Sequence, residues 1–277
     1  MSRLLWGLVR ASHPEPAVAV TTIAGLLAWG VGHRPAGIAA VAATVLATQL
    51  AVGWTNDWLD ADRDARVGRA DKPIPGAAVR RRTVGTAGLL AAAATPVLGL
   101  TTNPTAALWI TLALISALLY NWPLKFTPAS VLPYAFSFGT LPAFVVLALP
   151  GVPTPPAWLI AAGALLGAGA HFANALPDLA DDARTGVRGL PHRVGPAGSR
   201  AAAAGLLLAA TAVLVLGPPG APTWAGVAAI GAAAVVLPVG WYAGHRQDRP
   251  VAIFRAVMLV ALIDVALLVA SGRGLQP

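Results

Sequence analysis

Nine stretches of this chain run for close to twenty residues on almost entirely apolar side chains: roughly 14–32, 36–55, 83–101, 104–122, 128–148, 156–176, 200–217, 222–243 and 251–271. That length crosses a hydrocarbon core of about 30 Å as an α-helix. Inside lipid a backbone must satisfy its own hydrogen bonds, so such runs fold as helices. The expected architecture is all-α: a polytopic membrane protein with nine transmembrane helices around a central cavity. Charged residues make up 11% of the chain and mean hydropathy is +0.70, whereas a soluble domain carries about 25% charge. There is no cysteine, which excludes disulfides and thiolate metal sites. No cleavable signal peptide is read at the N-terminus; a short polar stretch, Arg10 to Glu15, leads into the first span. The many small residues suit close helix packing in a membrane.

A net charge of +8 is read here as topology and not as a nucleic-acid footprint. One set of loops carries Arg63, Arg66, Arg69, Lys72, Arg80, Arg81, Arg82, Lys125, Arg184, Arg188, Arg193, Arg200, Arg246 and Arg249, with Arg3 and Arg10 before the first span. The opposite side has Arg34 and Arg273, and its loops near 101–104, 149–156 and 217–222 have no charge. The positive-inside rule then predicts a cytoplasmic N-terminus, an external C-terminus and a multi-pass protein of the cell membrane.

Two segments 118 residues apart share one polar pattern at the ends of apolar runs. The first reads Asn56-x3-Asp60-x3-Asp64-Ala65-Arg66-x-Gly68 and ends at Pro73; the second reads Asn174-x3-Asp178-x3-Asp182-Ala183-Arg184-x-Gly186 and ends at Pro191. Eight of the eleven acidic residues lie in these two regions. A four-residue spacing puts Asn, Asp and Asp on one helix face. Boundary solvation needs neither that register nor a second copy. The offset spans four helices, an even number, so both copies share one membrane sense, and both fall on the predicted cytoplasmic side. One domain, 1–277, is expected, with parallel four-helix pseudo-repeats at about 14–122 and 128–243 and a ninth helix at 251–271.

Two such faces opposite one another make a carboxylate cage. Hard divalent cations bridging a polyphosphate are its natural occupants. Arg66, Arg69 and Lys72 after the first motif, Arg184 and Arg188 after the second, and Lys125 after the fourth span are candidates to complete a diphosphate clamp. Loss of diphosphate from an allylic carbon leaves a carbocation, which an apolar, aromatic chamber protects from water. Trp54, Trp58, Tyr120, Trp122, Phe126, Phe138 and Phe172 are candidates for its walls, although each taken singly also suits packing or interfacial anchoring.

At these residues the chain resembles the UbiA superfamily of intramembrane prenyltransferases. Asn56-Asp57-Trp58-Leu59-Asp60-Ala61-Asp62-Arg63-Asp64 matches that family's NDxxDxxxD, and Asp178-Leu179-Ala180-Asp181-Asp182 matches its DxxxD. The resemblance implies nine helices, cytoplasm-facing acidic loops and Mg²⁺ as cofactor. It implies Asn56, Asp57, Asp60, Asp64, Asp178 and Asp182 around the metal and the diphosphate. Arg69 and Lys72-Pro73 stand where the family has its basic, Pro-ending follow-on. Tyr120 and Lys125 resemble its Tyr/Lys pair after helix four, with a Tyr-x4-Lys spacing in place of Tyr-x3-Lys. Arg10 resembles the basic residue before helix one that lies near the acceptor. Members that alkylate 4-hydroxybenzoate tend to carry an Asp seven residues before Asp178; here that position is His171. It shares a helical face with Asn174 and is a candidate for the acceptor site, the alternative being a packing histidine.

The implied activity is transfer of an isoprenyl group from its diphosphate to a small, aromatic or quinone-precursor acceptor, within the bilayer and without nucleic acid. A terpene cyclase of the same superfamily, ionising the diphosphate without an acceptor, is the alternative. A transporter built of parallel repeats is the third reading, disfavoured because the acids cluster at one membrane face. Asp264, mid-span in the ninth helix, is costly there unless paired or functional.

Overall fold

In the computed structural model, residues 3–69 and 72–246 are described, together with 256, 259–260 and 262–267. A short amphipathic helix, α1 (Arg3–Ala11), precedes the long helices α2 (Pro14–Gly30), α3 (Pro35–Arg66), α4 (Arg81–Leu100), α5 (Pro104–Asn121), α6 (Val131–Leu147) and α7 (Ala157–Ala175). After a 3₁₀ turn at Leu176–Asp178 come α8 (Leu179–Arg184), α9 (Leu190–Leu216) and α10 (Trp224–Arg246). All these elements are helical, as the apolar runs require. Seven of the described segments are long and apolar enough to cross a membrane. The first expected span, α2, has 17 residues. Most of the expected ninth span, 251–271, lies outside the described residues; Asp264, which is described, is fully buried.

Local chemistry starts these helices where the sequence has proline. Pro14, Pro35 and Pro104 sit in the first turns of α2, α3 and α5, where a missing N–H costs nothing. Asn103 caps α5 by accepting from Ala106 N at 2.9 Å. Its amide also donates to the Leu147 carbonyl at 2.8 Å, and His33 Nε2 bonds the Val145 carbonyl at 2.8 Å. These two bonds tie together the loop ends opposite the acidic motifs.

The core lies on that same far side. Leu27, Val41, Val45, Ile110, Phe144 and Leu159 are almost fully buried between α2, α3, α5, α6 and α7. A second cluster joins α7, α9 and α10 through Phe172, Leu207 and Leu237. Leu90, Val97, Leu132 and Val235 stay more than half exposed, an apolar periphery that water would not tolerate and lipid does. Shifted by 118 residues, the end of α3 at Arg66 falls on the end of α8 at Arg184, and the end of α2 falls one residue from that of α6.

Glycines set the spacing of the second half. A Cβ on Gly167 would stand 2.5 Å from both the Tyr134 carbonyl oxygen and Phe138 Cβ, so α7 rides directly on the α6 backbone. Gly167→Ala is expected to cost about 1–3 kcal/mol by overpacking, read as a fall of several degrees in the melting temperature of the detergent-purified protein. An unchanged melt would contradict this helix spacing.

Candidate active site

The repeated Asp-Ala-Arg-x-Gly is a helix stop, used twice. Gly68 and Gly186 both hold positive φ, +74° and +83°, the left-handed conformation that glycine adopts without strain. Arg69 N bonds the Asp64 carbonyl at 3.0 Å, and Val187 N bonds the Asp182 carbonyl at 3.0 Å. This six-to-one closure past a left-handed glycine leaves Asp64 and Asp182 at equivalent places on the last helical turn.

Ahead of that stop the two copies differ. α3 runs unbroken through Asn56, Asp57, Asp60 and Asp64, so the first motif forms one helical face. The expectation of a single helix for the second motif is corrected: α7 ends at Ala175 and Asp178 lies in the 3₁₀ turn. Pro177 supplies no N–H to the α ladder and breaks it there. His171 and Asn174 belong to α7, and Asp182 to α8.

The carboxylates meet basic side chains. Asp60, 5% exposed, takes hydrogen bonds from Lys125 Nζ and from Arg63 at 2.9 Å. Arg63 also stands 3.9 Å from Asp64 Oδ1 and 3.7 Å from Asp182 Oδ1, so one guanidinium touches both motifs. Asp57 accepts from Lys72 Nζ and from His13 Nε2, each at 2.9 Å. Arg69 lies 3.8 Å from Asp178, and His192 lies 3.6 Å from Asp182. Burial pushes the Asp182 carboxyl above the usual carboxylate range, with Arg63 pulling the other way. Burial also lowers the Lys125 ammonium against the pull of Asp60.

Asn56 donates to Asn121 Oδ1 at 3.3 Å, and Asn121 donates in turn to the Val52 carbonyl and Thr55 Oγ1 at 2.9 and 3.0 Å. Behind the carboxylates lies a ring cluster. Tyr120 meets Tyr134 edge-on at 4.8 Å between centroids and His171 at 5.6 Å; His171 lies 5.7 Å from Phe172. Side-chain hydrogen bonds link Tyr134 to Tyr120 and to Asn174. His171, 3% exposed, bonds Ser130 Oγ through Nε2 at 3.0 Å, and Ser130 Oγ accepts from Leu190 N at 2.9 Å.

Most of the expected site residues therefore come together: Asn56, Asp57, Asp60, Asp64, Asp178, Asp182, Arg69, Lys72 and Lys125 in the charged layer, and Tyr120, His171 and Asn174 beneath it. Arg66 is exposed and donates to the Asp62 carbonyl of its own helix at 3.3 Å; Arg10 and Arg184 are exposed as well. Several expected walls lie elsewhere. Trp54 donates to the Leu8 carbonyl of α1 at 2.8 Å, Trp58 packs on Gly85 of α4, and Trp122 is 66% exposed. Phe126 instead lies under the Lys125 ammonium, 5.5 Å from it. Sequence reading did not reach Arg63 as a bridge, nor His13, Asn121, Ser130, Tyr134 and His192. Arg63 had a signal, its place inside the first motif; the others depend on chain crossings no local pattern reports.

Among the described residues, no three carboxylate or imidazole groups converge into a closed metal cage. The donor set nonetheless fits a hard dication. It consists of carboxylate oxygens drawn from both motifs, with a cationic guanidinium already standing between them. Mg²⁺ uses one or two carboxylates and takes its remaining oxygens from water and substrate phosphate.

Residues 18–263 match the model of the UbiA prenyltransferase family. The chain belongs to the UbiA prenyltransferase family. Solved structures agree in fold. An apo UbiA homologue from Aeropyrum pernix K1 superposes with a TM-score of 0.72 at 20% identity, over 91% of this chain and 98% of that one. A digeranylgeranylglyceryl phosphate synthase scores 0.71 at 16% identity, over 99% and 100%. A UbiA homologue from Archaeoglobus fulgidus, bound to DMAPP and Mg²⁺, scores 0.70 at 15% identity, over 95% and 99%. No curated protein matches the chain in sequence. At these identities the structures speak for the family's fold, and the residue assignments rest on this chain's own geometry.

Proposed function

We propose that the protein transfers an isoprenyl group from its diphosphate to a small acceptor inside the membrane, with Mg²⁺ as cofactor. The observation that carries this reading is the layering of the site. Two acidic motifs, one from each half, share one cation, Arg63, and their Asp60 and Asp182 lie within electrostatic reach of Tyr120, which belongs to a buried cluster with Tyr134, His171 and Phe172. Mg²⁺ held by Asp60, Asp64, Asp178 and Asp182 would neutralise the diphosphate and make it a leaving group. Arg69 pairs with Asp178, Lys125 with Asp60 and Lys72 with the neighbouring Asp57, and these cations would complete the clamp on the metal-bound diphosphate. The rings below exclude water and offer π faces to an allylic cation. The family membership and the neighbour bound to DMAPP and Mg²⁺ support the donor class. On the charge distribution of the loops, the charged layer is assigned to the cytoplasmic face.

The test is product mass. Purified protein with Mg²⁺ is incubated with isoprenyl diphosphates of graded length, with and without a panel of phenolic and quinone-precursor acceptors. An acceptor-plus-isoprenyl product is expected. A product of donor mass minus diphosphate, formed equally without acceptor, would replace this reading with a cyclase.

His171 is assigned to the reacting end of the chamber. Its ring lies 4.9 Å from that of Tyr134 and 5.7 Å from that of Phe172, and among the described residues it forms no ion pair with the carboxylates. His171→Ala is expected to change acceptor preference or product distribution while leaving the Mg²⁺ requirement intact. His171→Asp should alter which phenol is used. Unchanged products for both variants across the panel would make His171 a packing residue.

A further inference from the structure

We infer that Arg63 is an internal counter-cation: it joins the two acidic motifs while no metal is bound and yields its carboxylates when metal binds. The inference rests on the Mg²⁺ reading above and concerns the order in which charges occupy that site. Arg63 lies one residue before Asp64 on α3, and its guanidinium reaches out of its own half of the molecule. NH2 stands 2.9 Å from Asp60 Oδ2 and 3.9 Å from Asp64 Oδ1, while NH1 stands 3.7 Å from Asp182 Oδ1. Its side chain is 19% exposed, so it is largely shielded from bulk water. Asp57, Asp178 and the other Asp60 oxygen are served from outside the first helix by Lys72, Arg69 and Lys125. Arg63 itself touches both motifs at once.

A planar guanidinium carries five donors and keeps its charge at any working pH. It can therefore hold two carboxylates from different helices, as a metal would. A dication needs those same oxygen lone pairs at about 2.0–2.1 Å, closer than the guanidinium nitrogens now stand. The two cations compete for one set of oxygens. When the carboxylates turn to a metal, the guanidinium is released beside whatever anion the metal carries, and a diphosphate oxygen can accept from it. The same residue that delays metal alone would favour metal bound together with diphosphate.

The measurement is the Mg²⁺ response of thermal unfolding, taken on full-length, chelator-stripped protein in detergent with MgCl₂ alone. Arg63→Gln is expected to melt lower than wild type in chelator, because the motifs lose their shared cation. Its Mg²⁺ midpoint should fall roughly 10-fold, the size of a typical coupling between two sites. Arg63→Lys keeps the charge without the two-armed reach and should lie between the two; it also serves if Arg63→Gln does not fold. Equal Mg²⁺ midpoints in wild type and variants, or a weaker midpoint without Arg63, would overturn the exchange while leaving the metal reading standing. Absence of any Mg²⁺ response in every protein would overturn the metal reading and the exchange with it.

Discussion

Asp60→Ala is expected to lower turnover at least ~100-fold, the order seen when a metal site loses a ligand or the group that orients one. Asp60 is the meeting point of the site. It is buried, it belongs to the unbroken face of α3, and it holds both Lys125 and Arg63. Its loss has a second consequence that must be separated from the first. Lys125 is 5% exposed and would be left as a buried charge without its partner, which costs about 3–5 kcal/mol. The Asp60→Ala/Lys125→Met pair removes that orphan. It should melt closer to wild type than Asp60→Ala while remaining as inactive. Recovery of turnover along with stability would show that Asp60 acts through the fold alone. Asp62 is the internal control. It lies off the 56/60/64 face, its side chain is 76% exposed, and it forms a surface pair with Arg81 at 2.9 Å. Such pairs contribute little, so Asp62→Ala should leave turnover within a few-fold of wild type, and equal losses at 60 and 62 would contradict the register.

What could be read in advance from the sequence was what depends on spacing within one helix. The apolar runs carry the helical fold, and the four-residue steps from Asn56 to Asp64 carry the first acidic face. The repeated glycines had a physical meaning that the pattern alone did not state: Gly68 and Gly186 take the same left-handed stop. The break in the second motif was also legible, since Pro177 stands between Asn174 and Asp178, and treating both copies as one continuous helix overlooked it. Groups whose roles arise from elements crossing in space were not legible. Arg63 read as one more loop cation because its reach to Asp182 is set by how α3 and α8 face each other. His13 reaches Asp57 because Gly53 lets the turn after α1 approach α3; a Cβ there would stand 2.5 Å from the Ser12 carbonyl oxygen. Trp54 and Trp58 share an aromatic character with the chamber walls, yet their side chains leave α3 toward α1 and α4. Composition could not separate those two directions.

Removing divalent metal should abolish turnover while leaving the protein folded. The charge count at the site explains both halves of that result. Asp57, Asp60, Asp64, Asp178 and Asp182 are met by Arg63, Arg69, Lys72 and Lys125, with His13 and His192 at the margins. The cations are thus already committed to carboxylates, and an arriving diphosphate finds no surplus positive charge to receive it. A bound dication contributes several kcal/mol of charge stabilisation to a departing phosphate group, and each 1.36 kcal/mol is tenfold in rate. Chelation with EDTA should therefore cut turnover ~1,000-fold or more, with Mg²⁺ or Mn²⁺ restoring it. Ca²⁺ should restore less, because its oxygens sit at 2.3–2.6 Å in a looser shell. The protein should remain folded in chelator and melt only a few degrees below the metal-replete protein without substrate, since the internal ion pairs neutralise the motifs on their own while a bound dication still adds stability. Turnover that persists in chelator would remove the metal from the mechanism and leave Arg63, Arg69, Lys72 and Lys125 to carry the diphosphate. Loss of folding in chelator would show that the internal pairs do not suffice, and that the metal serves the structure before it serves the chemistry.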